Sequence, residues 1–164
     1  MDIYLIRHGI AADKEDYAND RDRPLIPKGE EKTQRVAQRL KAMGIEFELM
    51  LTSPFVRAKQ TAQILFNVGL AASLEDYEPL SHGGDLRDFL QDWETSRYVQ
   101  LKGALALVGH EPDLSQWAEQ LLWGNIQEKM ILKKSGIIGL SVPTVGSPLG
   151  KSQLFLLISP KWFV

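Results

Sequence analysis

Apolar positions along the chain alternate between short unbroken runs and stripes at helical spacing. Ile3–Ile6 is a brief β-rich run that ends at Arg7-His8-Gly9, the pattern of a buried strand feeding a loop. Ala11 to Lys28 is polar and broken by Pro24 and Pro27, which predicts a loop. Gly29 to Met43 carries Val36, Ala37, Leu40 and Met43 on one helical face, with Gly44 as the residue that ends it. Phe47–Thr52 is a second strand. Ser53-Pro54 then predicts a helix start, with Ser53 as N-cap and Pro54 in the first helical position. Phe55, Ala58, Ala62 and Leu65 share the inner face of that helix.

Ala71–Leu74 predicts a weak third strand, and Gly83-Gly84-Asp85 opens a helix with Leu86, Phe89, Leu90 and Trp93 in one stripe. Leu105–Val108 is a further buried strand, ending at Gly109-His110-Glu111-Pro112. A helix bearing Leu114, Trp117, Ala118, Leu121 and Leu122 follows, closed by Gly124. Ile137–Val142 and Leu154–Ile158 flank a Pro/Gly/Ser-rich turn and predict an antiparallel hairpin. This alternation predicts an α/β fold, a three-layer α/β/α arrangement with a mostly parallel sheet and an antiparallel edge. Neither repeats nor a linker divide the 164 residues, so residues 1–164 are expected to form a single domain.

Composition narrows the function classes. With no cysteine, disulfides, thiolate metal sites and cysteine nucleophiles are excluded. A net charge of -2 gives no electrostatic case for nucleic acid or an anionic membrane as partner. No apolar run has bilayer-spanning length, and the Met1-Asp2 start lacks the basic region of a signal peptide, so a cytoplasmic protein is expected.

Ligands of open α/β sheets bind beyond the carboxyl ends of the parallel strands. Arg7 and His8 follow the first strand, Arg57 lies one helical turn beyond the second, and His110 follows the fourth. Two arginines and two histidines on one rim, with no neighbouring carboxylate cluster in sequence, describe an anion site. Guanidinium forks match phosphoryl oxygens, and a helix starting at Ser53 would add free N–H groups; Ser53 has an equally good reading as a simple cap. Histidine is also a nucleophile when its attacking nitrogen is neutral. A unit charge about 6 Å away, at an effective dielectric near 20, is worth roughly 3 kcal/mol, on the order of 2 pKa units. The arginines are therefore expected to keep His8 deprotonated, while Gly9 lets the backbone turn and a backbone carbonyl fixes the ring tautomer. A metal site built from His8, His82 and His110 is disfavoured, because no histidine pair has helical metal spacing and the arginines would repel the ion.

Leu5-Ile6-Arg7-His8-Gly9, then Leu51-Thr52-Ser53-Pro54-Phe55-Val56-Arg57-Ala58-Lys59-Gln60-Thr61-Ala62, then Val108-Gly109-His110-Glu111-Pro112 together resemble the motifs of the histidine phosphatase superfamily, the phosphoglycerate-mutase-like folds. The resemblance implies His8 as the nucleophile that accepts the phosphoryl group. Arg7, Arg57 and His110 would surround its oxygens, and no metal or other cofactor would be needed. The short chain leaves no room for an insertion over the pocket. With Arg23-Pro24-Leu25 and Gly29, it is most similar to the SixA-like phosphohistidine phosphatases; Ile26 departs from the usual threonine and weakens capping there.

The implied activity is hydrolysis of protein phosphohistidine, with a phosphotransfer protein as partner and inorganic phosphate as product. Rival readings are a phosphatase or mutase for a small phosphorylated metabolite and a non-catalytic phosphate-binding module. Glu111 is the candidate general acid, with support of the next helix's first turn as its bland alternative; Glu78 is a poorer candidate. His82 is read as a loop histidine at the pocket mouth, Asp85 as an N-cap, and the four tryptophans as core or edge residues.

Overall fold

Alternation along each strand decides which helix pair covers which face of the sheet. The computed structural model describes residues 1–95 and 97–162. Its strands are β1 (Asp2–Arg7), β2 (Phe47–Thr52), β3 (Leu74–Asp76), β4 (Ala104–Gly109), β5 (Ile137–Ser141) and β6 (Gln153–Ile158). They form one mixed sheet in the order β3-β2-β4-β1-β5-β6. β3, β2, β4 and β1 are mutually parallel, and β5 runs antiparallel to both β1 and β6.

Ile6, Met50, Ala106, Val108 and Ile137 face Val36, Ala37 and Leu40 of α1 (Pro27–Ala42) and Ala58, Ala62 and Leu65 of α2 (Val56–Asn67). On the opposite face Leu5, Leu51 and Leu107 meet α3 (Leu86–Thr95) and α4 (Asp113–Trp123), through Phe89, Trp93, Leu114, Trp117 and Leu121. Each fully buried leucine in these layers contributes about 2 kcal/mol through removal from water. Gly124, in the left-handed conformation with φ 81°, ends α4 as its sequence position predicts. Trp93 and Trp117 are core residues, whereas Trp123 and Trp162 are exposed. No helix among the described residues is long and apolar enough to cross a membrane.

Three boundaries differ from the sequence expectation. Ser53 is not the cap of α2: the helix begins at Val56, and the N-cap residue Phe55 has no side-chain cap. Thermodynamically the Ser53 hydroxyl is better used elsewhere, as the site shows. The third strand begins at Leu74, with Ala71 making only an isolated bridge to Phe47. The polar loop after β1 is closed by an antiparallel bridge between Ala11 and Leu25, and α1 already starts at Pro27 behind an uncapped Ile26.

Segment 125–136 has no regular structure, yet one buried carboxylate organises it. Glu119 of α4 accepts hydrogen bonds from the backbone N–H groups of Gln127, Glu128, Lys129 and Met130, at 2.6–2.7 Å. Burial pushes its pKa up, but the four N–H donors outweigh that and hold it below the usual glutamate value. Its contribution to stability is therefore present above the unfolded-state pKa and is lost as pH falls through the lower folded value. Glu119→Gln is expected to destabilise the protein by about 3 kcal/mol near neutral pH. In urea unfolding, the gap between variant and wild type should shrink in acid; a pH-independent gap would contradict this account.

Candidate active site

β1 and β4 end side by side, and the rim above them gathers the predicted residues. The His8 N–H donates to the Gly109 carbonyl at 3.1 Å, and the Ser135 N–H reaches the carbonyls of Arg7 and His8. His8 Nδ1 lies 2.7 Å from the Gly9 carbonyl oxygen, a pure acceptor. The ring proton therefore sits on Nδ1. Nε2 keeps its lone pair and accepts from Arg57 Nε at 3.2 Å. Gly9 is needed for room rather than for an unusual turn: a Cβ there would lie 2.6 Å from Thr33 Oγ1. Its own N–H donates to Thr61 Oγ1 at 3.0 Å.

Arg57, in the first turn of α2, is only 3% exposed. Its terminal nitrogens donate to Asp20, to the carbonyl at 2.6 Å and to Oδ2 at 2.8 Å, so one guanidinium spans the nucleophile-like ring and an acidic loop. Asp20 also pairs with Arg23 at 2.9 Å. Arg7 arrives from the other side of the sheet, and its Nη1 donates to the Leu132 carbonyl at 2.8 Å. The Leu132 N–H in turn donates to Glu111 Oε1 at 3.2 Å, and the Ser115 hydroxyl donates to the same oxygen at 2.5 Å. The backbone of one residue, Leu132, thus links Glu111 to Arg7.

The His110 ring centroid is 5.2 Å from that of His8. His110 Nε2 pairs with Ser53 Oγ at 2.7 Å, and the same oxygen accepts the Phe55 N–H at 3.3 Å. Ser53 is fully buried. It orients His110 instead of presenting a helix terminus to an anion, which corrects the expected phosphate contact. The Ser53 oxygen already accepts from Phe55 and its hydroxyl proton has no other acceptor among the described contacts; donation of that proton to Nε2 places the His110 ring proton on Nδ1. That atom, Arg7 Nε and Glu111 Oε2 are buried without a hydrogen-bond partner. Two unspent donors beside a neutral imidazole suit an incoming anion.

Arg7, His8, Arg57 and His110 line a cavity of about 270 Å³ together with Lys14, Asp20, Arg23, His82, Glu111 and Lys134. Five lysine and arginine side chains face two carboxylates there, so the positive excess expected from sequence survives, though Asp20 and Glu111 temper it. Burial is the largest cause of the strong lowering of the His8 pKa, followed by His110, with Arg57 and Arg7 contributing less and the Gly9 carbonyl opposing. From sequence the arginines are the expected cause; desolvation outweighs them. His110 is pushed down to about 3, again chiefly by burial and then by Arg57. Both rings are neutral at pH 7. Lys134 is held below the usual lysine value by burial and then by Arg7 and Arg23.

Lys14, Asp20 and Lys134 carried no periodic or motif signal, because long-range contacts place the two irregular loops that bear them. Glu78 lies outside the cavity, paired with Arg21 at the surface. Among the described residues no group of three or more histidines and carboxylates has metal-holding geometry. A roomier groove of about 440 Å³ near Glu30, Gln34 and Gln60 is lined by acidic, amide and one apolar side chain, and it lacks these donors.

A buried neutral histidine inside an arginine-rich phosphoryl-sized pocket, at the carboxyl edge of this sheet, defines a class. The model of the histidine phosphatase superfamily (branch 1) matches residues 3–100, and the chain belongs to that superfamily. An uncharacterised protein of Picosynechococcus sp. is 45% identical over the whole of this chain and 99% of its own length. The phosphohistidine phosphatase SixA of Escherichia coli is 37% identical over 52% of this chain and 53% of its own.

Among solved structures, the protein histidine phosphatase SixA complexed with tungstate superposes with a TM-score of 0.84 at 25% identity, covering 98% of each chain. A putative α-ribazole-5'-P phosphatase of Escherichia coli shares the fold, with a TM-score of 0.70 at 19% identity over 98% of each chain.

Proposed function

We propose that this protein hydrolyses phosphohistidine carried on another protein, through a covalent phospho-His8 intermediate and without a metal. The observation that carries the reading is the neutral His8 ring. Its Nδ1 is fixed by the Gly9 carbonyl, so Nε2 offers its lone pair among Arg7, Arg57 and His110. His8 Nε2 attacks phosphorus, the bond to the leaving nitrogen breaks, and the phosphoryl group resides on His8. Water then attacks phosphorus, and inorganic phosphate leaves. Arg7, Arg57 and the His110 Nδ1–H donate to the three equatorial oxygens, where charge builds during transfer. The incoming phosphoryl also supplies an acceptor for Arg57 Nε, which releases the lone pair of the nucleophile.

Cavity size supports a substrate presented by a protein. About 270 Å³ lies below the roughly 300–1,000 Å³ typical of pockets that enclose drug-sized ligands. A phosphorylated imidazole on a phosphotransfer domain can reach in while the remainder of its carrier stays outside. The similarity to SixA proteins points the same way.

A small phosphorylated metabolite is the competing substrate, favoured by the extra cations Lys14, Arg23 and Lys134 at the rim. Phosphate release in EDTA from a phosphohistidine-bearing phosphotransfer domain, set against a panel of sugar and nucleotide monophosphates, separates the two. Faster turnover of the phosphoprotein is expected; much faster turnover of a metabolite would replace this reading. Quenching in alkali should trap a base-stable, acid-labile phosphoenzyme. Tight phosphate binding with no phosphoenzyme would indicate a binding module.

A further inference from the structure

Breaking the bond to a poor leaving group requires a proton, and the three groups that hold the phosphoryl cannot all supply it. Arg7 and Arg57 are permanent cations, and His110 is a neutral ring. Asp20 is ionised: burial raises its pKa, but the bond and charge of Arg57 hold it below the usual aspartate value. Glu111 engages the Ser115 hydroxyl and the Leu132 N–H through Oε1, and so buttresses the backbone that holds Arg7.

At the mouth of the cavity a different pair is assembled. His82 Nδ1 lies 2.8 Å from Asp113 Oδ2, and the Gly83 N–H donates to that same oxygen at 3.2 Å. Asp113 is 13% exposed in its side chain, whereas His82 is 48% exposed and reachable from solvent. The His82 ring stands edge-on to His110, with centroids 5.9 Å apart, and it lines the same cavity as His8. No protein partner engages His82 Nε2 among the described contacts. A carboxylate that orients an imidazole through one nitrogen and leaves the other free in a reaction cavity is the arrangement by which histidines serve as proton donors.

We infer that His82, oriented by Asp113, is the general acid–base of this site; the inference rests on the phosphatase reading above. As His8 Nε2 bonds to phosphorus, the bond to the leaving oxygen or nitrogen breaks and its electron pair takes the proton from His82 Nε2. Neutral His82 then receives a proton from the attacking water as the His8–phosphorus bond breaks, which restores the starting state. The groups facing the His82 ring are Asp113 from α4 and His110 after β4. Arg57 and Asp20 line the cavity beyond them.

The test measures phosphoenzyme formation directly, by rapid mixing and alkaline quench, across aryl and alkyl phosphates of increasing leaving-group pKa. His82→Gln is expected to lose about 10²-fold or more on an alkyl phosphate and much less on 4-nitrophenyl phosphate, so that the rate falls more steeply with leaving-group pKa. Asp113→Asn should fall between His82→Gln and wild type. Glu111→Gln, which perturbs Arg7 through Leu132, should slow all substrates in similar proportion.

An unchanged slope in His82→Gln, or a steepened slope in Glu111→Gln instead, would overturn the assignment. Absence of any phosphoenzyme in the wild type would overturn the phosphatase reading itself, which keeps the two failures distinct.

Discussion

Replacing His8 by alanine is expected to abolish phosphate release, with a loss of at least about 10⁴-fold in kcat, because no other group can form the covalent intermediate. The fold should survive. His8 makes two side-chain hydrogen bonds, to the carbonyl of its own neighbour Gly9 and from Arg57 Nε, whose guanidinium keeps its two bonds to Asp20; the buried ring is neutral, so its removal strands no charge of its own. Thermal unfolding is expected within a few degrees of wild type, a shift of about 1–2 kcal/mol. Phosphate release and alkali-stable labelling, measured on the same preparation, check the two halves together. Labelling that persists in the variant would remove His8 as nucleophile.

Arg57 carries the second large effect. Its guanidinium touches His8 Nε2 and Asp20 simultaneously and is almost completely buried. Arg57→Ala is expected to lower kcat/KM by about 10²–10³-fold, the range found when one donor to developing charge is removed. Arg57→Lys should recover little. An ammonium cannot direct one N–H to the ring nitrogen while two others stay on Asp20 in a fixed plane. Isothermal titration with inorganic phosphate should show weakened binding in both variants. Near-wild-type kinetics in Arg57→Lys would mean that charge alone, and not fork geometry, is what the site uses.

The parts of this architecture legible in sequence are those governed by short-range rules. Unbroken apolar runs such as Leu105–Val108 placed the central strands, and strand ends placed Arg7, His8 and His110 on one rim. Segments whose course depends on distant partners were opaque. Asp20 lies in a polar loop without periodicity, and only the chelation of Arg57, together with the Ala11–Leu25 bridge, brings it into the pocket. Lys134 arrives in a similar way, on a segment tied down by Glu119 and Glu111.

Ser53 shows the opposite failure. Ser-Pro is a sound local signal for a helix start, but burial against His110 offered the hydroxyl a partner that local rules do not see. The direction of the His8 pKa shift is legible in the neighbouring arginines but its main cause, burial, is not, since sequence displays charges but not depth.

The order of strands in space also constrains how the chain can be made. β1 emerges first from the ribosome, yet it occupies an interior lane of the sheet, between β4 and β5. Neither of its edges has a partner until β4 is made, and until residues near 141 have been translated the β5 edge stays open and the Ser135 amide that clasps the Arg7 and His8 carbonyls is absent or unanchored. Nascent chains shorter than this expose an unpaired apolar ribbon and hold no phosphoryl pocket. Assembly of the pocket therefore waits on β5, and chains truncated before it are expected to be inactive.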